Sequence, residues 1–215
     1  MKQIRRHKPR SAFTLIEILA VVTIMGVLAA VAVPAFRGVS TSTNLVNAAT
    51  MATGMINQAR IYAIAQNTQT AVYFCETWAD SQDKPLRVAS TWHWDADSAA
   101  WKQTSKWETL PAGVVFEKER PAEVVEAGHY YAMDKAELNN GKSIVVNGHN
   151  VDVVEIRFNS LGTVIVPSTT KNIQKLSLRL STGFIANGVH QKTQKDNWVD
   201  VSINGLTGRV NFAQR

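Results

Sequence analysis

Phe13–Phe36 reads FTLIEILAVVTIMGVLAAVAVPAF, 24 residues in which Glu17 is the only charge. As a helix rising about 1.5 Å per residue it spans roughly 36 Å, enough to cross a bilayer with some tilt. A carboxylate inside such a segment is costly in lipid unless it is paired, so Glu17 reads as functional. The preceding block, MKQIRRHKPRSA over residues 1–12, carries five Lys/Arg and no acid. Together they read as a processing leader joined to a membrane anchor. The bland alternative is an ordinary signal anchor with an incidental Glu, and the rarity of charge in spans argues against it.

Composition bounds the rest. The chain has 215 residues and a formal charge of +6, which invites a nucleic-acid partner. Five of those positive charges sit in the leader, leaving +1 for the remainder, and this argues against nucleic acid. The leader charge instead sets orientation: N-terminus inside, everything after Arg37 translocated. About 180 residues remain for one domain with a modest core. The single cysteine, Cys75, excludes an intrachain disulfide; it ends the apolar run TAVYFC and reads as a buried thiol.

Ala12-Phe13-Thr14-Leu15-Ile16-Glu17 resembles the cleavage and methylation site of class III signal peptides, found in type IV pilins and type II secretion pseudopilins. In that family the peptidase cuts before the Phe and the new amino terminus is N-methylated. Glu stands at the fifth mature position, Gly at the fourteenth and Pro at the twenty-second. Counted from Phe13, this chain has Glu17, Gly26 and Pro34 at those places. It departs from the pattern at Ala12, where the family usually has Gly. Ala is the smallest replacement, so cleavage is expected.

The resemblance implies a set of partners: the prepilin peptidase/N-methyltransferase, other pilins or pseudopilins, an inner-membrane assembly platform and membrane lipid. It also implies a single-pass protein of the bacterial inner membrane with a periplasmic C-terminal domain, later built into a filament. The key positions have physical reasons as well. A cationic amine on Phe13 is costly in lipid until neutralised. Glu17 lies on the same helix face, and a staggered neighbour would bring carboxylate and amine together and set register. Gly26 permits close helix–helix approach, and Pro34 removes a backbone donor near the end of the span.

Beyond the span, residues 37–67 read as an amphipathic continuation of the helix. Gly38 and Ser40-Thr41-Ser42-Thr43 form a weaker passage within it. Leu45, Ala48, Ala52, Met55, Ala59 and Tyr62 recur at three- and four-residue steps, one apolar stripe reaching about Gln66. That stripe faces either the domain's own sheet or neighbouring helices, and the sheet is the preferred partner.

Residues 68–215 read as strands separated by turns: Thr70–Cys75, Leu86–Trp94, Val114–Glu117, Ser143–Val146, Val153–Phe158, Thr163–Val166, Lys175–Leu180, Trp198–Ile203 and Arg209–Phe212. A helical or irregular insertion is expected over EKERPAEVVEAGHYYAMDKAELNNGK. A long N-terminal helix packed on an antiparallel sheet domain is an α+β pattern of pilin-like form. Gln58–Asn67, Thr70–Cys75, Phe158–Gly162 and Gly205–Val210 resemble the H-type minor pseudopilin and its FimT-like pilus relatives. This implies a low-copy subunit near a pseudopilus tip. The K-type tip subunit commonly lacks the fifth-position Glu, so Glu17 disfavours it.

Two stretches invite chemistry. Asp95 and Asp97, beside His93, form an oxygen-rich turn of the kind that can hold Ca²⁺, but no complete loop pattern is present and a plain turn is preferred. Five of the six Trp lie between Trp78 and Trp107, interleaved with Lys84, Arg87, Lys102 and Lys106. Such a stretch either stacks on bases or sugars or fills one face of a hairpin, and the second reading is preferred. No phosphate loop, GxSxG elbow or metal-ligand Cys/His spacing occurs, so neither catalysis nor a cofactor is expected. The reading is a minor pseudopilin of a type II secretion pseudopilus. Its alternative is a minor type IV pilin acting in adhesion, motility or DNA uptake.

Overall fold

The computed structural model describes residues 14–79, 81, 84–122, 128–165, 173–186, 189–193 and 197–214. The expected leader and the expected cut-site pair Ala12–Phe13 lie outside the described residues. The chain divides into two compact units, Met1–Ser40 and Thr41–Arg215, with the boundary in the Ser40–Thr43 run. Helix α1 is Leu15–Ala65. After it come β1 (Thr70–Trp78), β2 (Val88–Asp95), β3 (Ala100–Gln103), β4 (Glu108–Thr109), β5 (Val114–Phe116) and β6 (His129–Tyr131). Then follow α2 (Lys135–Leu138), β7 (Gly141–Val146), β8 (His149–Phe158) and β9 (Val164–Ile165). The chain closes with β10 (Lys175–Ala186), β11 (Val189–Lys192), β12 (Trp198–Asn204) and β13 (Val210–Gln214).

Within the second unit, α1 buries Leu45, Ala48, Ala49, Ala52, Met55, Ile56, Ala59 and Ala63. The stripe is broader than the expected one, and Tyr62 sits at its rim against His93, ring centroids 5.3 Å apart. Five alanines on this face let the helix axis approach the sheet closely. The helix ends in a left-handed cap at Asn67 (φ 48). The Thr68 N–H donates to Ala63 O at 3.1 Å and the Asn67 N–H to Ile64 O at 3.3 Å. This satisfies carbonyls that the helix end would otherwise orphan. The Thr70 hydroxyl then donates to Ala59 O at 2.8 Å and ties the first strand to the helix.

The first sheet runs β3-β2-β1-β8-β7. Its two faces follow from strand alternation. Val72 and Phe74 on β1, with Val154, Ile156 and Phe158 on β8, share a core with the helix stripe. Ala71, Tyr73 and Cys75 point to the opposite face and join Trp78, Val88, Val146, Val151 and Val153 in a second cluster. A register shift between Cys75 and Thr77 changes the alternation, which puts Trp78 on that face. The second sheet runs β11-β10-β12-β13, with β5 and β6 on β10. Leu176, Leu178 and Leu180 of β10 and Val199, Val201 and Ile203 of β12 close the helix-side core.

A helix with antiparallel β-sheets is the expected α+β pattern, with local departures. The described residues form two sheets, and β6 pairs parallel to β10. The strand expected from Leu86 begins at Val88 instead. Leu86 has φ 54 and its N–H donates to Cys75 O at 2.9 Å, so it belongs to a turn. The insertion holds β6 and the short α2, while its residues 123–127 lie outside the described residues. Val166, the expected end of a strand, does too.

Glu76 on β1 is a buried carboxylate, held by Lys118 (2.7 Å) and Lys135. Burial by itself would raise its pKa. The two ammonium groups outweigh that and hold it below the usual carboxylate range. A depressed folded value stabilises the protein above the unfolded pKa, and that stability is lost as pH falls through the folded one. We expect Glu76→Gln to flatten the acid limb of stability below about pH 4.5. Denaturant midpoints measured from pH 7 to pH 3 check this; an unchanged or steeper limb would contradict it.

Candidate functional site

Thr14 and Glu17 lie at the start of α1. The Thr14 N–H and hydroxyl each donate to Glu17 Oε2 at 3.0 Å, and the Glu17 N–H donates to Thr14 Oγ1 at 3.3 Å. This is a capping box, in which two orphan donors of the helix end are satisfied reciprocally. The Thr14-x-x-Glu17 spacing is its sequence signature, and it adds Thr14 to the residues that act here. Among the described residues, then, Glu17 has Thr14 as its hydrogen-bond donor.

Around Gly26 a Cβ would meet nothing within 4 Å, so open space surrounds this position in the isolated chain. Leu15, Ile16, Ile18, Leu19, Val22 and Leu28 all face outward. Pro34 lies within the bounds of α1, and its side chain is outside the described residues, as are those of 30–41. Among the described residues no helix is long and apolar enough to cross a membrane. Of the expected 13–36 span, side chains are described for 14–29.

Asp95 and Asp97 are not brought together as ligands. Asp95 pairs with Lys102 and accepts from the Ser98 hydroxyl at 2.5 Å, which holds its carboxyl down at about 2. Among the described residues no three His, Cys, Asp or Glu side chains are grouped as for a metal ion. The turn joins β2 to β3 with Ala99 at φ 46.

Trp78, Trp92, Trp101 and Trp107 occupy the sheet face away from the helix. Trp92, Trp101 and Trp107 pack on the Tyr73–Trp78 cluster. Trp101 lies edge-on to Trp94 at 5.9 Å, and Trp78 is edge-on to Trp107 at 5.4 Å. The Arg157 guanidinium sits over the Trp101 ring at 4.8 Å, and Lys84 covers Trp78 at 3.8 Å. These cations therefore stack on rings of their own chain, which is the chemistry of a satellite core. Of the interleaved cations Lys84, Arg87, Lys102 and Lys106, Lys84 covers a tryptophan, while Arg157 and Lys142 over Trp101 come from distant strands. Buried beneath the rings, the Cys75 thiol is pushed up to about 12 and is no nucleophile.

A family model described as the prokaryotic N-terminal methylation motif matches residues 7–33. Among solved structures, the chain is similar to the type IV minor pilin FimU of Pseudomonas aeruginosa at 16% identity, over 80% of this chain and 89% of that one, with a TM-score of 0.43. It is likewise similar to the minor pseudopilin EpsH of the Vibrio cholerae type 2 secretion system at 13% identity. That match covers 80% of this chain and 97% of that one, with a TM-score of 0.43. No curated protein matches the chain. Over residues 7–33, then, the chain carries the prokaryotic N-terminal methylation motif.

Proposed function

We propose that this chain is a minor pseudopilin: cut between Ala12 and Phe13 by the prepilin peptidase, N-methylated at Phe13, and drawn from the inner membrane into a pseudopilus. The single observation that carries the reading is the methylation motif over residues 7–33, with Glu17, Gly26 and Pro34 at spacings that suit helix assembly. The 13–36 segment is the membrane anchor, N-terminus inside, and the β-rich domain faces the periplasm. In the filament the amine on a neighbour's Phe13 supplies a cation to Glu17. Helices then pack through the open space at Gly26.

The second reading is a minor type IV pilin. The turns at Phe158–Gly162 and Gly205–Val210 resemble pseudopilin and pilus relatives alike, and both readings use the same N-terminal helix. Intact mass of the protein from its native membrane tests the shared part. We expect a chain beginning at Phe13 with one added methyl, and a chain beginning at Met1 would overturn it. Gene deletion separates the two readings: lost protein secretion supports the pseudopilin, lost surface motility or transformation the pilin.

A further inference from the structure

At the C-terminal end of α1, the globular unit leaves aliphatic side chains in solvent. Leu161 is 79% exposed, Leu206 64%, Ile61 60% and Ile64 44%. These residues are held together by specific bonds. Asn159 Oδ1 accepts from the N–H groups of Leu161 and Thr163, both at 3.0 Å. Asn204 Oδ1 accepts from the Leu206 N–H at 3.1 Å and the Thr207 N–H at 2.9 Å. Each asparagine thus fixes a turn that holds its leucine outward.

The two turns meet, and both rest on one turn of the helix. The Thr163 hydroxyl donates to Leu206 O at 3.2 Å, and Arg60 Nε donates to Thr207 O at 2.7 Å. A Cβ on Gly162 would lie 2.7 Å from Ile64 Cδ1. Four aliphatic side chains therefore stand on a pre-ordered surface, where docking pays little further ordering cost. Rigidly presented apolar groups of this kind mark interaction sites.

The charge in these segments has one sign. Residues 58–67, 159–163 and 204–210 contain Arg60 and Arg209 and no acid. A two-fold contact between two copies through this surface would set arginines against arginines. We propose that this surface docks a different prepilin-type subunit, through an aliphatic patch bordered by carboxylates. The proposal rests on the filament-subunit reading and names the partner surface that reading requires.

The test uses the full chain in its own bacterium, with photoreactive benzoyl-phenylalanine at Leu161 or Leu206. Val145, 67% exposed on β7, serves as the control position. The expected result is an adduct from both leucine positions, about tenfold or more above the control. Mass spectrometry should identify the partner as another chain with a prepilin-type N-terminus. An adduct with a second copy of this chain, an adduct with a protein lacking that N-terminus, or none above the control would each overturn the proposal. Intact mass of the same sample reads processing separately. A methylated Phe13 terminus without the adduct sinks the docking surface and leaves the filament reading standing. A Met1 terminus sinks the filament reading, and the adducts still decide the surface.

Discussion

Gly208→Ala is expected to destabilise the folded domain by about 3–4 kcal/mol. Two causes add at this position. Gly208 has φ +64, in the left-handed region, where an L side chain costs roughly 1–2 kcal/mol. Its Cβ would also lie 2.1 Å from Gly162 O and 2.7 Å from Arg60 Cδ. The oxygen is backbone, so relief requires moving one turn away from the other. Gly113→Ala supplies the control, with φ +77 and nothing within 4 Å. It should show the conformational part alone, about 1–2 kcal/mol. Urea midpoints of the full-length protein in detergent check the pair; equal losses for both variants would mean that the turns do not pack as described.

Arg179→Met is expected to cost about 2–3 kcal/mol, because it strands a carboxylate. Arg179 lies directly across from Asp200 in the β10–β12 register, and both are held by a forked pair at 2.7 and 2.9 Å. The guanidinium also lies over the Trp198 ring at 3.5 Å. Methionine keeps much of the apolar stem and removes the fork, so the loss reports on Asp200 left without its partner. The double variant Arg179→Met with Asp200→Leu should recover most of the loss, because no ion then remains to be paired. A double variant as unstable as the sum of the singles would show that packing on Trp198, not the charge pair, holds these strands together.

The helix stripe was legible in the sequence because its signal is local. Leu45, Ala48, Ala52, Met55 and Ala59 repeat at helical spacing, and all five are buried. Strand interiors were legible for the same reason, as in the alternation of Leu176, Leu178 and Leu180. Their ends were not. Leu86 has the composition of a strand residue, yet a bond to Cys75 O, eleven positions earlier, turns the backbone there. The tryptophan stretch shows the same limit. Its interleaved cations include Lys84, which does cover Trp78, but the cation over Trp101 comes from Arg157, far along the chain.

What the sequence alone determined is the N-terminal pattern: a basic block, an apolar segment with one carboxylate, and Glu17, Gly26 and Pro34 at their spacings. Such a pattern is covalent and local, and needs no fold to be read. What only the tertiary structure decided is which surfaces are spent and which are left over. Strand pairing packed Trp92, Trp101 and Trp107 around the buried Trp78 cluster on the outer sheet face and set Arg157 and Lys84 over its rings. The packing of two asparagine turns on Arg60 and Ile64 left Leu161 and Leu206 in solvent. Both outcomes depend on residues distant in sequence reaching bonding distance, and the energy of those contacts exists only once the chain has folded.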